Sequence, residues 1–236
     1  MNCILCQEDF QPATTMGQLI FNRSQAKQLL CPACLKSFAY LNGSLCSGCG
    51  RQLADSIPNE NPLLICSDCQ LWQNQGYHLL GHQALYAYDE PLKEYMSRYK
   101  FMGDYRLATV FQKEMRQLLR RLVKKQQIDL VIPIPVSEER FLQRGFNQVD
   151  PWLLRSAKAV LEVVNHNKVD QSSLDRADRL NTPQPFVIAA KKTELVAGKR
   201  VLVVDDVYTT GRTLYHAADC LYQAGARFVT SASLAR

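Results

Sequence analysis

The clearest hydrophobic pattern in the chain is a run of four apolar residues, 201–204, that is followed directly by two carboxylates. A continuous run of Val and Leu of this length predicts a strand that is buried on both faces, as in a parallel sheet. After a short loop, Leu214, Ala217, Ala218 and Leu221 recur at helical spacing, so they share one face of a helix. The pattern therefore predicts a strand, an acidic pair, a loop and a helix in succession.

The other apolar positions extend this alternation of strands and helices. Short apolar runs predict further strands at 84–88, 130–135 and 228–234, and the prolines of the second run end it. Helical spacing predicts one helix through Leu92, Tyr95, Met96 and Tyr99 and a long second one through Leu107, Val110, Phe111, Met115, Leu118, Leu119 and Leu122. The fold class expected is α/β, with a parallel sheet flanked by helices.

Length and composition fit a globular protein with a smaller unit before the α/β region. The chain has 236 residues, of which 47% are hydrophobic and 21% charged, and no apolar run reaches the length of a membrane span. The start of the chain lacks a signal-peptide pattern, so we expect a cytoplasmic protein with no membrane insertion. Weak periodicity over 70–84 suggests a boundary between a unit at 1–75 and an α/β unit at 84–236.

The net charge of +6 changes this picture little. The basic excess lies after residue 78, and part of it is on the outer face of the long helix, at Arg116, Arg120, Arg121, Lys124 and Lys125. Such a face could contact a nucleic-acid backbone, but a solvated helix surface explains it more simply.

Eight of the nine cysteines form four Cys-x-x-Cys pairs, which are Cys3/Cys6, Cys31/Cys34, Cys46/Cys49 and Cys66/Cys69. Two such pairs complete a tetrahedral four-thiolate site that selects Zn²⁺, so the expectation is two structural zinc ions in a double zinc-ribbon-like unit. Sequential and cross-braced pairings of the four motifs both remain open. The ninth, Cys220, is expected to be a small buried side chain.

Other uses of these cysteines fit less well. Disulfides would need an oxidising compartment, a redox Cys-x-x-Cys usually occurs once, and the spacing lacks the tight run of a ferredoxin-type cluster. His78 and His82 stand four residues apart, but the cysteines already supply all the ligands for two metal ions.

The acidic pair, Asp205 and Asp206, has the chemistry of a sugar-phosphate site. Carboxylates accept hydrogen bonds from the vicinal hydroxyls of ribose and hold Mg²⁺ through water. The loop that follows can hold a phosphate by its backbone amides and the helix N-terminus. Its residues are Thr209, Thr210, Gly211, Arg212 and Thr213. The simpler alternative is an ordinary turn whose Asp residues cap a helix.

A second loop is predicted beside the first. Val136 and Ser137 follow the strand at 130–135, and Arg140 and Arg144 come shortly after them. Because ligands of parallel α/β sheets lie beyond the carboxyl ends of the strands, these arginines could reach a diphosphate. The alternative is that they are two arginines on a surface helix.

These motifs resemble known families. The stretch 201–213 resembles the motif with which type I phosphoribosyltransferases bind 5-phosphoribosyl 1-diphosphate (PRPP). Together with Ile-Pro-x-Pro, the segment Arg-Gly-Phe-Asn-Gln at 144–148 and the cysteine pairs, it resembles the ComF family over nearly the whole chain. One flank departs: Gln171, Leu174, Arg179 and Phe186 fit the family outline, but 163–167 lacks the usual arginine.

The resemblance implies a competence protein that acts in natural transformation. It implies binding of single-stranded DNA, a partnership with a ComFA-type DNA-translocating ATPase, and binding of PRPP with Mg²⁺. The alternative is an active phosphoribosyltransferase with an unidentified acceptor, for which the sequence shows no recognisable acceptor-binding hood. A scaffold with a vestigial pocket is a third possibility.

Overall fold

A computed structural model describes residues 1–11, 29–53, 64–101, 104–164 and 184–236. Within these ranges the strands are Gln83–Tyr86 (β1), Leu130–Pro133 (β2), Leu161–Val163 (β3), Phe186–Ile188 (β4), Arg200–Val204 (β5) and Phe228–Ala235 (β6). The α-helices are Pro32–Ser37 (α1), Ser67–Asn74 (α2), Glu90–Phe101 (α3), Gln112–Lys125 (α4), Glu138–Arg144 (α5), Thr193–Val196 (α6) and Arg212–Gln223 (α7). Two 3₁₀ helices span Tyr105–Thr109 and Asp150–Trp152.

Four strands form a parallel sheet in the order β1-β6-β5-β2, and β3 and β4 form a separate antiparallel pair. This confirms the predicted α/β class with a parallel sheet. The predicted strands at 84–88, 130–135, 201–204 and 228–234 correspond to β1, β2, β5 and β6. Both central strands are buried on their two faces, as the apolar run of β5 indicated.

Alternate residues of β5 belong to two separate hydrophobic cores. Leu202 and Val204 pack with the buried faces of α3 and α4, whereas Val201 and Val203 pack with α7. This division follows from the two-residue period of a strand, which directs successive side chains to opposite faces of the sheet. All four predicted inward residues of α7, and Cys220, are buried.

The long predicted helix is instead two elements, the 3₁₀ helix Tyr105–Thr109 and α4. Side chains from elsewhere take the carbonyls at the break: the Tyr95 hydroxyl donates to Leu107 O (2.8 Å) and Trp152 Nε1 donates to Ala108 O (3.0 Å). The backbone bonds here are those of a 3₁₀ turn, since Val110 N donates to Leu107 O three residues before it, so the α-helical pattern does not extend through the break. Periodicity alone could not show this.

The cysteine-rich segment crosses the edge of the sheet. Residues 39–41 pair with β1, where Leu41 N donates to Leu85 O and Ala87 N donates to Ala39 O. Before this crossing, Cys3, Cys31 and Cys34 join or pack against the core on the α3/α4 side, whereas Cys6 is exposed; the four paired cysteines after it join the core on the α7 side. The division into units at 1–75 and 84–236 stays a prediction, and each cysteine group shares its core with the sheet. No helix in the described ranges has the length and apolar character needed to cross a bilayer.

Candidate functional site

The acidic pair lies at the carboxyl end of β5, where the ladder with β6 fixes its backbone. Asp205 N donates to Ala232 O (2.9 Å), and Asp206 O accepts from Leu234 N (3.0 Å). Both side chains are buried, with exposed fractions of 7% for Asp205 and 5% for Asp206. Asp205 Oδ1 accepts from the amide of Asp206 at 2.8 Å. Two carboxylates are thus held side by side just beyond the carboxyl end of the central strand β5.

Lys100 supplies a positive charge to this pair. Its Nζ lies 2.7 Å from Asp206 Oδ2, and both side chains are largely shielded from water. Burial and the charge of Asp206 raise the pKa of Asp205 to about 7, although the charges of Lys100 and Arg140 act in the opposite direction. Asp205 therefore changes its charge near neutral pH, and a cation at the site would favour its ionised form.

The loop of residues 209–213, which we call the Thr/Gly loop, leads from the acidic pair into α7. Gly211 has a φ of 85°, and a Cβ there would lie 2.2 Å from Tyr208 Oη, so only glycine fits. Within the described part of the chain, the backbone amides of Thr209, Thr210 and Gly211 donate to no protein group. A row of backbone amides without protein acceptors in the described ranges, just before a helix, is suited to an anion.

The second predicted loop lies at the same edge, since β2 and β5 are neighbours and Ile134 N donates to Val204 O (2.8 Å). Ser137 caps α5, its Oγ accepting from Arg140 N, and Val136 is half-buried before it. Asn147 Nδ2 donates to Ile134 O (2.9 Å), which holds the far end of the loop against β2. The loops that follow β2 and β5 therefore lie next to each other, and the role of their residues in ligand binding stays a prediction.

Arg140 and Arg144 are half-buried on α5, and their charges are felt at the acidic pair. The charge of Arg140 lowers the pKa of Asp205, although burial outweighs it. Burial lowers the pKa of Arg144, and the charge of Asp206 partly offsets this. Arg144 also donates to Gln148 Oε1 (3.1 Å) and lies over the ring of Phe101 at 5.4 Å.

The eight paired cysteines form two clusters with sequential pairing: Cys3, Cys6, Cys31 and Cys34 make the first cluster, and Cys46, Cys49, Cys66 and Cys69 the second. This settles the pairing that the spacing left open. The Sγ–Sγ distances are 3.7 and 3.8 Å in the first cluster and 3.6 Å for two pairs in the second. A tetrahedral zinc–thiolate site with bonds of about 2.3 Å requires sulfur separations of about 3.8 Å. Both clusters therefore could hold a metal ion, and their geometry is consistent with zinc.

Backbone amides stabilise thiolates in both clusters. Cys31 N donates to Cys3 Sγ (3.3 Å), and Cys66 N donates to Cys46 Sγ (3.2 Å). Hydrogen bonds from Cys49 and Cys69 hold the pKa of Cys46 well below its usual range. Four thiolates fill a tetrahedral shell, so a metal here would stabilise the fold and would have no open position for substrate.

His82 is a buried polar residue that directly precedes the edge strand β1. Its Nδ1 lies 2.9 Å from Ser231 Oγ and its Nε2 lies 3.0 Å from Ser233 Oγ. Burial, followed by the charge of Arg236, lowers the pKa of His82 to about 3. The imidazole is therefore neutral in the folded protein across the physiological range.

This pKa predicts a loss of stability in acid. The unfolded chain binds a proton at His82 near pH 6.5, whereas the folded protein does so only near pH 3, so the free energy of unfolding falls as the pH drops below 6.5. The expected loss is about 2 kcal/mol at pH 5. Urea unfolding at pH 7 and pH 5 measures it.

The matched control uses the other histidine of this region. His78→Gln should keep the full loss, since its ring merely lies beside Tyr222 at 5.3 Å, whereas His82→Gln should flatten the profile between pH 7 and pH 5. Equal acid sensitivity in both variants would contradict the assignment.

Sequence reasoning missed three residues near the site: Lys100, Trp72 and Arg236. No local motif marks them, because each reaches the site from a distant part of the chain. On the departing flank, Gln171, Leu174 and Arg179 lie outside the described residues, as do 165–167. Phe186 begins β4, and Val163 ends β3.

The sequence of the chain is similar to those of known proteins. A phosphoribosyl transferase domain model matches residues 108–236, which include the acidic pair, the Thr/Gly loop and α5. A competence protein ComFC from Streptococcus pneumoniae is 31% identical over 237 residues, covering 100% of both chains. One from Bacillus subtilis is 30% identical and covers 99% of this chain and 94% of the relative.

The chain is also similar to a relative that is not named as a competence protein. The DNA utilization protein YhgH from Escherichia coli O6:H1 is 30% identical over 216 residues, covering 85% of this chain and 87% of the relative. The similarity to the two ComFC proteins extends over nearly the whole chain, so it includes the cysteine-rich segment as well as the phosphoribosyl transferase region.

Proposed function

The chain belongs to the ComF family, and from this premise we propose that it acts in DNA uptake during natural transformation, with a ribose-phosphate site at the Thr/Gly loop. The names of its relatives, competence proteins and DNA utilization proteins, support the biological role. The observation that carries the biochemical part is that two buried carboxylates lie beside three backbone amides that donate to no group among the described residues, all just after the carboxyl end of β5.

The ligand proposed for this site is PRPP or a related ribose 5-phosphate. The amides of Thr209–Gly211 would take the 5′-phosphate, with Thr213 and Arg212 at the start of α7 completing the loop. Asp205 and Asp206 would accept from the ribose diol and hold Mg²⁺ through water, while Arg140 and Arg144 would face the diphosphate. Magnesium would supply charge neutralisation at the diphosphate when bound.

Single-stranded DNA is the second proposed partner, and it would use a different surface. Deoxyribose has no 2′-hydroxyl, so a carboxylate pair shaped for a diol would not recognise it. The exposed Arg120, Arg121, Lys124 and Lys125 at the end of α4 offer phosphate contacts. Arg116 does not belong to this group, because its guanidinium donates to Pro151 O and Leu153 O.

The remaining parts of the proposal follow from the cysteines and the family. Two structural zinc ions would occupy the two clusters, and cysteines that serve as metal ligands fit the reducing cytoplasm better than disulfides do. A ComFA-type DNA-translocating ATPase is the protein partner proposed.

Two experiments test this function. Deletion of the gene in a competent host should abolish transformation and leave growth unchanged. Binding of a single-stranded oligonucleotide should weaken steeply as salt rises, as counterion release requires, and Arg120→Gln with Arg121→Gln should reduce that slope. Normal transformation in the deletion strain would refute the proposed role.

Phosphoribosyl transfer is a second candidate function, favoured by the intact carboxylate pair inside the matched domain. The site would act by positioning PRPP and stabilising charge as the bond to diphosphate breaks and a nucleophile attacks C1′. Diphosphate release with a panel of nucleobases distinguishes this activity from binding alone.

A further inference from the structure

One guanidinium joins the second cysteine cluster to the Thr/Gly loop. Arg236 donates from Nε to Cys49 O (3.1 Å) and from Nη2 to Cys49 Sγ (3.2 Å). On its other side, Nη1 donates to Thr209 O (3.1 Å) and to Tyr208 O (3.5 Å). The same group lies 4.5 Å from the centroid of the Tyr208 ring. The planar guanidinium of Arg236 therefore contacts a cysteine sulfur of the cluster and two carbonyls of the loop region.

Trp72 makes the second link. It lies on α2, three residues after Cys69, and its Nε1 donates to Thr210 O at 3.3 Å. Its ring stacks on Tyr215 of α7 with centroids 4.3 Å apart, and the guanidinium of Arg212 lies 5.6 Å from it. Only 3% of Trp72 is exposed, so the donor has little access to water.

These contacts hold three successive carbonyls, those of Tyr208, Thr209 and Thr210. In a planar trans peptide the carbonyl of one residue and the amide of the next point in opposite directions. Holding the three carbonyls towards the cysteine cluster therefore directs the amides of Thr209, Thr210 and Gly211 away from it. These are the same three amides that donate to no group in the described part of the chain.

We propose that the second cysteine cluster orients the anion-binding amides of the Thr/Gly loop, with Trp72 and Arg236 as the positioning residues. This inference rests on the proposed ribose-phosphate site. It couples metal occupancy of one cluster to sugar-phosphate affinity. The first cluster has no corresponding contact with the loop among the described residues, so its metal should matter less to the ligand.

A pair of tryptophan variants tests the carbonyl contact. Trp72→Phe keeps an aromatic ring on Tyr215 but removes the donor to Thr210 O, and it should weaken PRPP binding about fivefold by calorimetry with Mg²⁺. Trp152→Phe is the matched control, because Trp152 is equally buried and its Nε1 donates to a backbone carbonyl remote from the loop, that of Ala108. It should leave the affinity within about twofold.

A pair of arginine variants tests the link to the cluster. Arg236→Gln should weaken PRPP binding about tenfold or more with the metal content unchanged. Arg200→Gln is the control: its guanidinium also lies over a ring, that of Phe228 at 4.3 Å, and donates to a carbonyl, Gln126 O, but at the other end of β5. Its affinity for PRPP should stay near that of the parent.

Backbone order parameters from ¹⁵N relaxation give a readout that needs no ligand. The order parameters of residues 209–211 should fall in Trp72→Phe and Arg236→Gln, because the loop loses contacts that hold its carbonyls, and they should remain unchanged in both controls. If the parent protein binds no PRPP, the proposed ligand is wrong, and the order parameters still decide the positioning role. Unchanged order parameters and unchanged affinity in both loop variants would overturn the inference, as would equal effects in the controls.

Discussion

Replacing Asp205 and Asp206 together by Asn is expected to weaken the binding of PRPP with Mg²⁺ at least tenfold, or about 1.4 kcal/mol. Amides cannot supply the negative charge that holds hydrated magnesium, and they compete poorly for the ribose hydroxyls. The loss should be larger at pH 8 than at pH 6, because the pKa of Asp205 is about 7 and the parent site gains its second charge across this range. Calorimetric titration at both pH values measures the effect.

Replacing Asp205 should not itself cost stability, whereas replacing Asp206 removes the ion pair with Lys100. Burial of an ionised Asp205 opposes folding at pH 8, so its replacement by a neutral side chain should not lower the unfolding midpoint on that account. Asp129→Asn is the control for PRPP affinity, since Asp129 lies at the other end of β5, where it accepts from Arg200 N at 2.8 Å. Equal PRPP affinity in the parent and the double variant would show that the carboxylates do not bind the ligand.

Replacing Cys69 by Ser is expected to lower the free energy of unfolding by about 4 kcal/mol or more and to reduce bound zinc from two ions per chain to one. Cys69 is fully buried, its Sγ lies 3.6 Å from that of Cys46, and it belongs to the same core as Val201 and Val203 of β5. Damage at this cluster should therefore reach the sheet. Urea unfolding and a metal assay on the same samples give both numbers.

Cys220→Ser separates the metal ligand from the buried thiol. Cys220 is also buried, on α7, but it lies outside both clusters. This variant should retain two zinc ions and lose about 1 kcal/mol. Two zinc ions in Cys69→Ser, or an equal destabilisation in the two variants, would contradict the assignment of the cluster as a structural metal site.

The parts of the site that the sequence predicted are those whose chemistry is local. A continuous apolar run, two carboxylates and a Thr/Gly turn are adjacent in the chain, so their order alone indicates a buried strand with a polar end. The four Cys-x-x-Cys pairs are likewise local motifs. They predicted two metal sites but did not show which motifs share each metal. The pairing depends on how the chain crosses the edge strand at residues 39–41, which no spacing encodes.

The parts that escaped prediction depend on contacts between distant residues. Lys100 reaches Asp206 from α3, and Arg236 reaches both Cys49 and Thr209. The division of the long predicted helix has the same origin, because the side chains of Tyr95 and Trp152 take the carbonyls at the break. Hydrophobic periodicity reports which face is buried, and it contains no information on which polar group meets which.

A crystal structure of the protein with PRPP and Mg²⁺ would show directly where the ligand binds. We expect the 5′-phosphate within hydrogen-bond distance of the amides of Thr209, Thr210 and Gly211, with the ribose hydroxyls against Asp205 and Asp206. A phosphate bound instead on the basic end of α4, with the loop amides still without an anion, would contradict this expectation.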